Sequence, residues 1–300
     1  MSTALRPAAL AVLVALLAGC ASPPPAVQPI DLACRTELSS SHPATLGFWD
    51  ALEANDVAAR AGAIAALDAA HVEHPDEHEL TLLLGLAQLW ALADPLPGTT
   101  GAEMGALAGG VLSNLRAGRA GCPMDARVAA WLGPVLVRMG RLTGNAEFEA
   151  EGYAVLDEGV AADPQFVLFS LAMVLAEEPV DSPEFARAID VLRDNIDVCG
   201  ESGPDYACTN GPRAAHNVEG SAIFMGDIFA RAGDVESART MYEAALGTPG
   251  YASWPYQDVL ADRLATLAER AALSQDADPT NDPLLVTSTP DSCAVCHAAR

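Results

Sequence analysis

From about Pro43 to residue 273 the apolar positions recur three and four apart almost without interruption, the spacing of one buried face on an α-helix. Phe48, Trp49 and Leu52 open the first face. Ile64 and Leu67, among the alanines between Ala58 and Ala70, make a second helix that stops near Pro75. Leu80 to Leu92 is a third, apolar all round and therefore predicted to be buried, yet too short to span a bilayer. A Gly- and Pro-rich break from Asp94 to Gly101 precedes a small-residue helix through Leu115. Asp125 to Met139 and Phe148 to Val160 form the next pair, and Phe166 to Ala176 and Phe185 to Ile196 another. Ser253, Trp254 and Pro255 read as a helix start, Ser as cap and Pro in the first turn. Val259, Leu260, Leu264, Leu267 and Ala271 are its apolar stripe. No alternating run is long enough to build a sheet, so the predicted fold class is all-α. Ser274 to Ser292, with Pro279, Pro283 and Pro290, is predicted as an extended tail, pinned against the helices by Leu284, Leu285 and Val286.

An internal pattern sharpens this. Gly226, Phe229, Gly233, Ala238, Tyr242 and Ala245 fall at the intervals of a tetratricopeptide repeat, with Pro249 one place short of the usual terminal proline. Trp131, Leu132, Gly133 and Gly140, followed by Pro164, look like a degenerate copy, and Leu84 with Gly85 after Pro75 hints at a third. The middle of the chain therefore resembles a tetratricopeptide-repeat array. Such units bury their apolar faces only by stacking, which implies a helical-repeat solenoid of antiparallel helix pairs. An irregular helical bundle predicts nearly the same core.

Composition narrows the partners. Half the residues are hydrophobic (51%) and few are aromatic (5%), which suits a helical protein with an adequate core. The formal net charge is −24, and every basic residue is an arginine. A surface so poor in cations argues against nucleic acid and against an anionic lipid surface as partners. It solubilises the chain, and it would steer a basic partner.

Close to the end of the sequence Cys293, Cys296 and His297 make a C-x-x-C-H, the spacing of covalent c-type haem attachment. Two thiols one helical turn apart can each form a thioether to a haem vinyl group, and the next imidazole becomes the proximal iron ligand. A structural disulfide, half a zinc site and a thioredoxin-like redox pair use the same first four positions. Zinc wants a second Cys/His pair, and the redox pair wants a βαβ setting. Neither is present in the sequence. The expected cofactor is one covalent haem c.

The amino end agrees. Arg6 precedes an apolar run from Ala8 to Leu17, and Leu17-Ala18-Gly19-Cys20 resembles a bacterial lipobox. That resemblance implies a signal peptide over residues 1–19, acylation of Cys20, and a lipid anchor as the only attachment to membrane. Ala21 and Ser22 follow without an Asp, which points to the outer membrane, facing the periplasm or the surface. Residues 20–42, with Pro23, Pro24, Pro25 and Pro29, read as a stiff linker. Residues 43–273 are the helical-repeat domain, and 274–300 the tail that carries the haem motif.

Seven cysteines, less Cys20, Cys293 and Cys296, leave Cys34, Cys122, Cys199 and Cys208, which allow three pairings. Cys199 with Cys208 brackets a Gly/Pro-rich loop and is the expected bridge, leaving Cys34 with Cys122; both need the oxidising compartment that export supplies. With so little chain after His297, a distal iron ligand is expected from upstream. His216, at the opening of the best repeat, is the first candidate and Met225 the second, with Arg213 as a propionate partner. His71, His74 and His78 would form a metal face on one helix, but Pro75 interrupts it. Two functions follow. One is a lipid-anchored monohaem electron carrier that meets an envelope redox partner. The other is a haem-free scaffold that binds a protein or solute on its concave repeat face. No nucleophile elbow, phosphate-binding glycine loop or zinc-protease motif occurs, so an enzyme reading would need the haem itself, for instance peroxide chemistry at an open iron, and the chain is read as a carrier or binding protein ahead of that third reading.

Overall fold

The computed structural model describes residues 35–123, 125–201, 217–276, 278, 280–288 and 292–297. Among these the regular structure is entirely helical, with thirteen α-helices and no strand. They are α1 (Glu37–Ser41), α2 (Pro43–Glu53), α3 (Arg60–Glu73), α4 (His78–Ala93), α5 (Gly101–Gly121), α6 (Ala126–Thr143) and α7 (Ala146–Ala162). There follow α8 (Pro164–Leu175), α9 (Pro183–Glu201), α10 (Val218–Arg231), α11 (Val235–Leu246), α12 (Gln257–Ser274) and α13 (Ser292–His297). No described helix is long and apolar enough to cross a membrane.

Local chemistry sets the boundaries. Thr100 and Glu103 exchange side-chain and backbone bonds as a capping box at the start of α5. Asn145 accepts from the backbone N–H of Glu147 and Phe148 to open α7, and Gly144, at φ 69°, closes α6 in the left-handed region. Several boundaries differ from the sequence reading: α5 runs past Leu115 to Gly121, α6 past Met139 to Thr143 and α9 past Ile196 to Glu201. A short α1 precedes Pro43, begun by a Thr36–Ser39 capping box. The helix expected from Ser253 starts at Gln257, because Tyr251–Ser253 forms a 3-10 turn whose carbonyls are taken by the Gln257 side chain.

Asp163 caps α8 by accepting from the N–H of Phe166. Burial raises its pKa, and the nearby Asp125 carboxylate adds to the rise. A raised acid pKa means the ionised form costs stability above that pKa, and the cost vanishes as pH falls through the unfolded value. Asparagine keeps the cap without the charge. Asp163→Asn is therefore expected to gain a few tenths of a kcal/mol at neutral pH and nothing in acid, as paired urea titrations at the two pH values would read.

The closest packing joins helices adjacent in the chain: α4 with α5, α6 with α7, α8 with α9 and α10 with α11. In the α6–α7 pair the two backbones touch. A Cβ on Gly152 would lie 2.7 Å from the Val137 nitrogen and 2.8 Å from the Gly133 oxygen. In the α10–α11 pair Gly226 faces the ring of Tyr242, and Ala238, Tyr242 and Ala245 are wholly buried. One core cluster gathers α2, α3 and α4 around Phe48, Leu67 and Trp90, and a larger one runs from α4 to α13.

Two buried polar nodes tie distant segments. Arg127 donates from Nε to Asp125 (2.9 Å) and from Nη1 to Glu79 (3.0 Å), linking α4 to the start of α6. Burial opposes its charge, but the two carboxylates hold the guanidinium pKa above its ordinary value. Asp227 accepts from Tyr242 Oη (2.7 Å), Arg263 Nε (2.9 Å), Arg270 Nη2 (3.4 Å) and the backbone N–H of Val286 (2.8 Å). That last bond fixes the tail. Leu285 and Val286 are buried, whereas Leu284, expected to join them, is 59% exposed.

Candidate cofactor site

The C-x-x-C-H stretch forms α13, a six-residue helix, so Cys293 and Cys296 do lie one turn apart. It is seated against the first turn of α10, and it also touches α2 and the turn at Val286–Ser288. The α10 cap does the seating. Asn217 donates its backbone N–H to the Cys296 carbonyl (2.6 Å) and its Nδ2 to the Val295 carbonyl (3.0 Å). Its Oδ1 meanwhile accepts from the Gly220 N–H (2.6 Å), so one residue opens α10 and closes α13. Gly220 is required there. A Cβ at that position would sit 2.6 Å from the Cys296 Cα and 2.7 Å from the Val295 oxygen. Val295 and Cys296 are buried, at 1% and 3% exposure.

His297 lines a cavity of about 640 Å³, within the roughly 300–1,000 Å³ span of small-molecule and cofactor sites. The walls come from α4, α5, α6 and α8. On α6 the lining residues recur over four turns, as Ala130 and Trp131, Pro134 and Val135, Arg138 and Met139, and Leu142 and Thr143. At 1.5 Å per residue that makes a trough roughly 20 Å long. Leu86 and Leu89 face it from α4, Met104 and Gly105 from α5, and Ser170 and Met173 from α8. A Cβ added at Gly105 would meet nothing within 4 Å, so this side is open space.

The electrostatics suit an iron ligand. His297 is half-buried and lines the cavity. Burial pushes its pKa down to about 4. At neutral pH the imidazole is uncharged, so coordination requires no proton to leave. Arg138 is then the one lining side chain, among the described residues, with a formal charge; its Nε and Nη2 both donate to Glu177 Oε1 (2.8 and 2.5 Å). Trp131, 7% exposed, has an indole N–H with no hydrogen-bond partner. An apolar trough with one neutral imidazole, one rim cation and an unsatisfied buried donor fits a large, flat, mostly apolar group with acidic substituents.

The remaining site residues divide. Met225 is half-buried on α10 against the larger core and does not line the cavity. Cys296 is also absent from the lining, although it is the neighbour of His297. His216, Arg213, Cys20, Cys34 and Cys208 lie outside the described residues. Cys122 and Cys199 are each disulfide-bonded. His71 bonds Thr81 (2.9 Å), His74 caps α3 and His78 opens α4. They make no metal cluster among the described residues. Sequence reasoning missed the cavity itself, since its walls carry the same leucines, valines and methionines that mark a filled core. Compared with known proteins, the chain matches no family model, no curated protein and no solved structure.

Proposed function

We propose that this chain is a lipid-anchored, monohaem c-type electron-transfer protein of the bacterial envelope, built on a tetratricopeptide-like array. The observation that carries the reading is the imidazole of the C-x-x-C-H lining an apolar cavity of cofactor size. Cys293 and Cys296 would hold the porphyrin as thioethers, and His297 would be the proximal ligand. A bound haem supplies a one-electron couple. The protein's own part is to keep His297 neutral, to exclude water with Leu86, Leu89 and Val135, and to offer Arg138 at the rim to an acidic substituent. The repeat reading is supported by the closeness of chain-adjacent helices and by the contacts of Gly226 with Tyr242. Placement in the outer membrane rests on the lipobox-like Leu17-Ala18-Gly19-Cys20.

The test is expression with the intact signal in a host that matures c-type cytochromes. The reading expects a coloured product, a haem-stained band on a denaturing gel, and a terminal peptide heavier by one porphyrin. A colourless product with an unmodified terminal peptide would overturn it. The apolar trough would then be read as the solute site of a haem-free scaffold.

A further inference from the structure

We propose that the mouth of the trough is the docking surface for a positively charged redox protein; this rests on the haem reading above. Of the residues that line the trough, Ala93, Gly105, Leu142 and Thr143 are exposed, and they mark its open side. None of them carries a charge. Leu142 is 87% exposed, more than any other large hydrophobic side chain among the described residues. It shares the cavity with the apolar Leu92 and Met139 behind it. An uncharged centre enclosed by polar groups is the anatomy of a protein interface. Single exposed leucines are ordinary on any surface, and that account predicts no more from Leu142 than from another.

The enclosing charge selects the partner. Glu103 precedes Met104 of the lining, and Glu147, just beyond Leu142, opens α7; both are exposed. Thr100 holds the Glu103 carboxyl below its ordinary pKa through its backbone N–H and hydroxyl, so the group is ionised at neutral pH. The arginines at this end of α6 are already answered. Arg138 pairs with Glu177 (2.5 Å), and Arg141 with Glu149 (3.4 Å), Glu177 (3.4 Å) and Glu178. Five carboxylates therefore flank the mouth against two guanidiniums, in a chain of formal net charge −24. A second copy would set one acidic rim against another, an unfavourable contact between like charges. A cationic surface is drawn in instead, and rim charges of this kind mainly quicken the encounter. One electron then crosses at the mouth, given up by one centre and taken by the other.

The experiment uses the full chain, matured as above, with lysine-rich mitochondrial cytochrome c as the probe and titration calorimetry at low ionic strength as the readout. Leu142→Gln is expected to weaken binding roughly tenfold, and Glu103→Gln with Glu147→Gln roughly fivefold. Glutamine serves a capping box as glutamate does, so the start of α5 is kept. Leu246→Gln on α11, and the exposed pair Asp68→Asn with Glu243→Gln, remove the same groups elsewhere and should stay near the wild type. Added salt should weaken the wild-type complex. No binding by the wild type, or equal losses from the distant variants, would overturn the inference. So would a wild-type dimer that Leu142→Gln dissociates, as analytical ultracentrifugation would show. A coloured wild type with any of those results sinks this inference alone. A colourless wild type that still binds the probe at the mouth sinks the haem reading alone and leaves a surface for a basic protein.

Discussion

Asp227→Ala is expected to destabilise the protein by about 3–5 kcal/mol and to release the tail. The carboxylate is buried, at 2% exposure, and four donors converge on it. Removing it leaves the Arg263 guanidinium, itself 8% exposed, with only the longer contact to the exposed Asp262 (3.4 Å) as counter-charge. The Tyr242 hydroxyl and the Val286 N–H lose their acceptor as well, and each unsatisfied buried donor adds a cost of about 1–3 kcal/mol. Tyr242 offers no relief by ionising, because burial, which remains in the variant, is the largest cause that holds its phenol above the ordinary range. Asp227→Asn keeps the shape and one acceptor oxygen and should lose less. Urea unfolding gives the stability change, and limited proteolysis reads the tail, where cleavage between residues 275 and 291 should quicken sharply. A variant within 1 kcal/mol of wild type, with a protected tail, would show that the node is incidental.

The second large effect concerns the proposed haem. In the double variant Cys293→Ala and Cys296→Ala, covalent haem is expected to disappear entirely, while circular dichroism stays helical. His297 would remain able to hold haem reversibly, so colour in native solution does not discriminate. The denaturing gel does, since nothing but a thioether survives it. Either single variant retains one thioether and should stain more weakly. Because a ligand held by the native state alone adds to its stability, the double variant should also melt at a lower temperature than the haem-loaded parent. A stained band from the double variant would assign the covalent link to other residues.

Much of this was legible in the sequence because helices announce themselves locally. The apolar spacing of Phe48 and Leu52, of Leu80 to Leu92 and of Leu260 to Leu267 was enough to place α2, α4 and α12. The caps at Asn145 and Asp163 explain why α7 and α8 begin where they do. The start of α12 was misplaced because Ser-Trp-Pro satisfies a helix-start pattern that a 3-10 turn uses equally well. The motif's residue types were legible too, but not their surroundings. Whether Leu86, Val135 and Met173 close on one another or stand apart around a trough depends on the angles between four helices, and no single stretch encodes those angles. Asp227 was likewise silent, since its four donors come from Tyr242, Arg263, Arg270 and Val286, scattered along the next sixty or so residues.

The direct backbone contact between α6 and α7 has a consequence for the wall of the trough. At Gly152 the backbone comes up against the Val137 nitrogen and the Gly133 carbonyl, with the Val137 and Leu156 side chains packed beside them, and close-packed interfaces of this kind resist compression. The long wall of the trough is one face of α6, and α7 backs it. For the proposed haem, such a wall would present the same surroundings in either oxidation state, so little nuclear rearrangement would have to accompany each electron transfer.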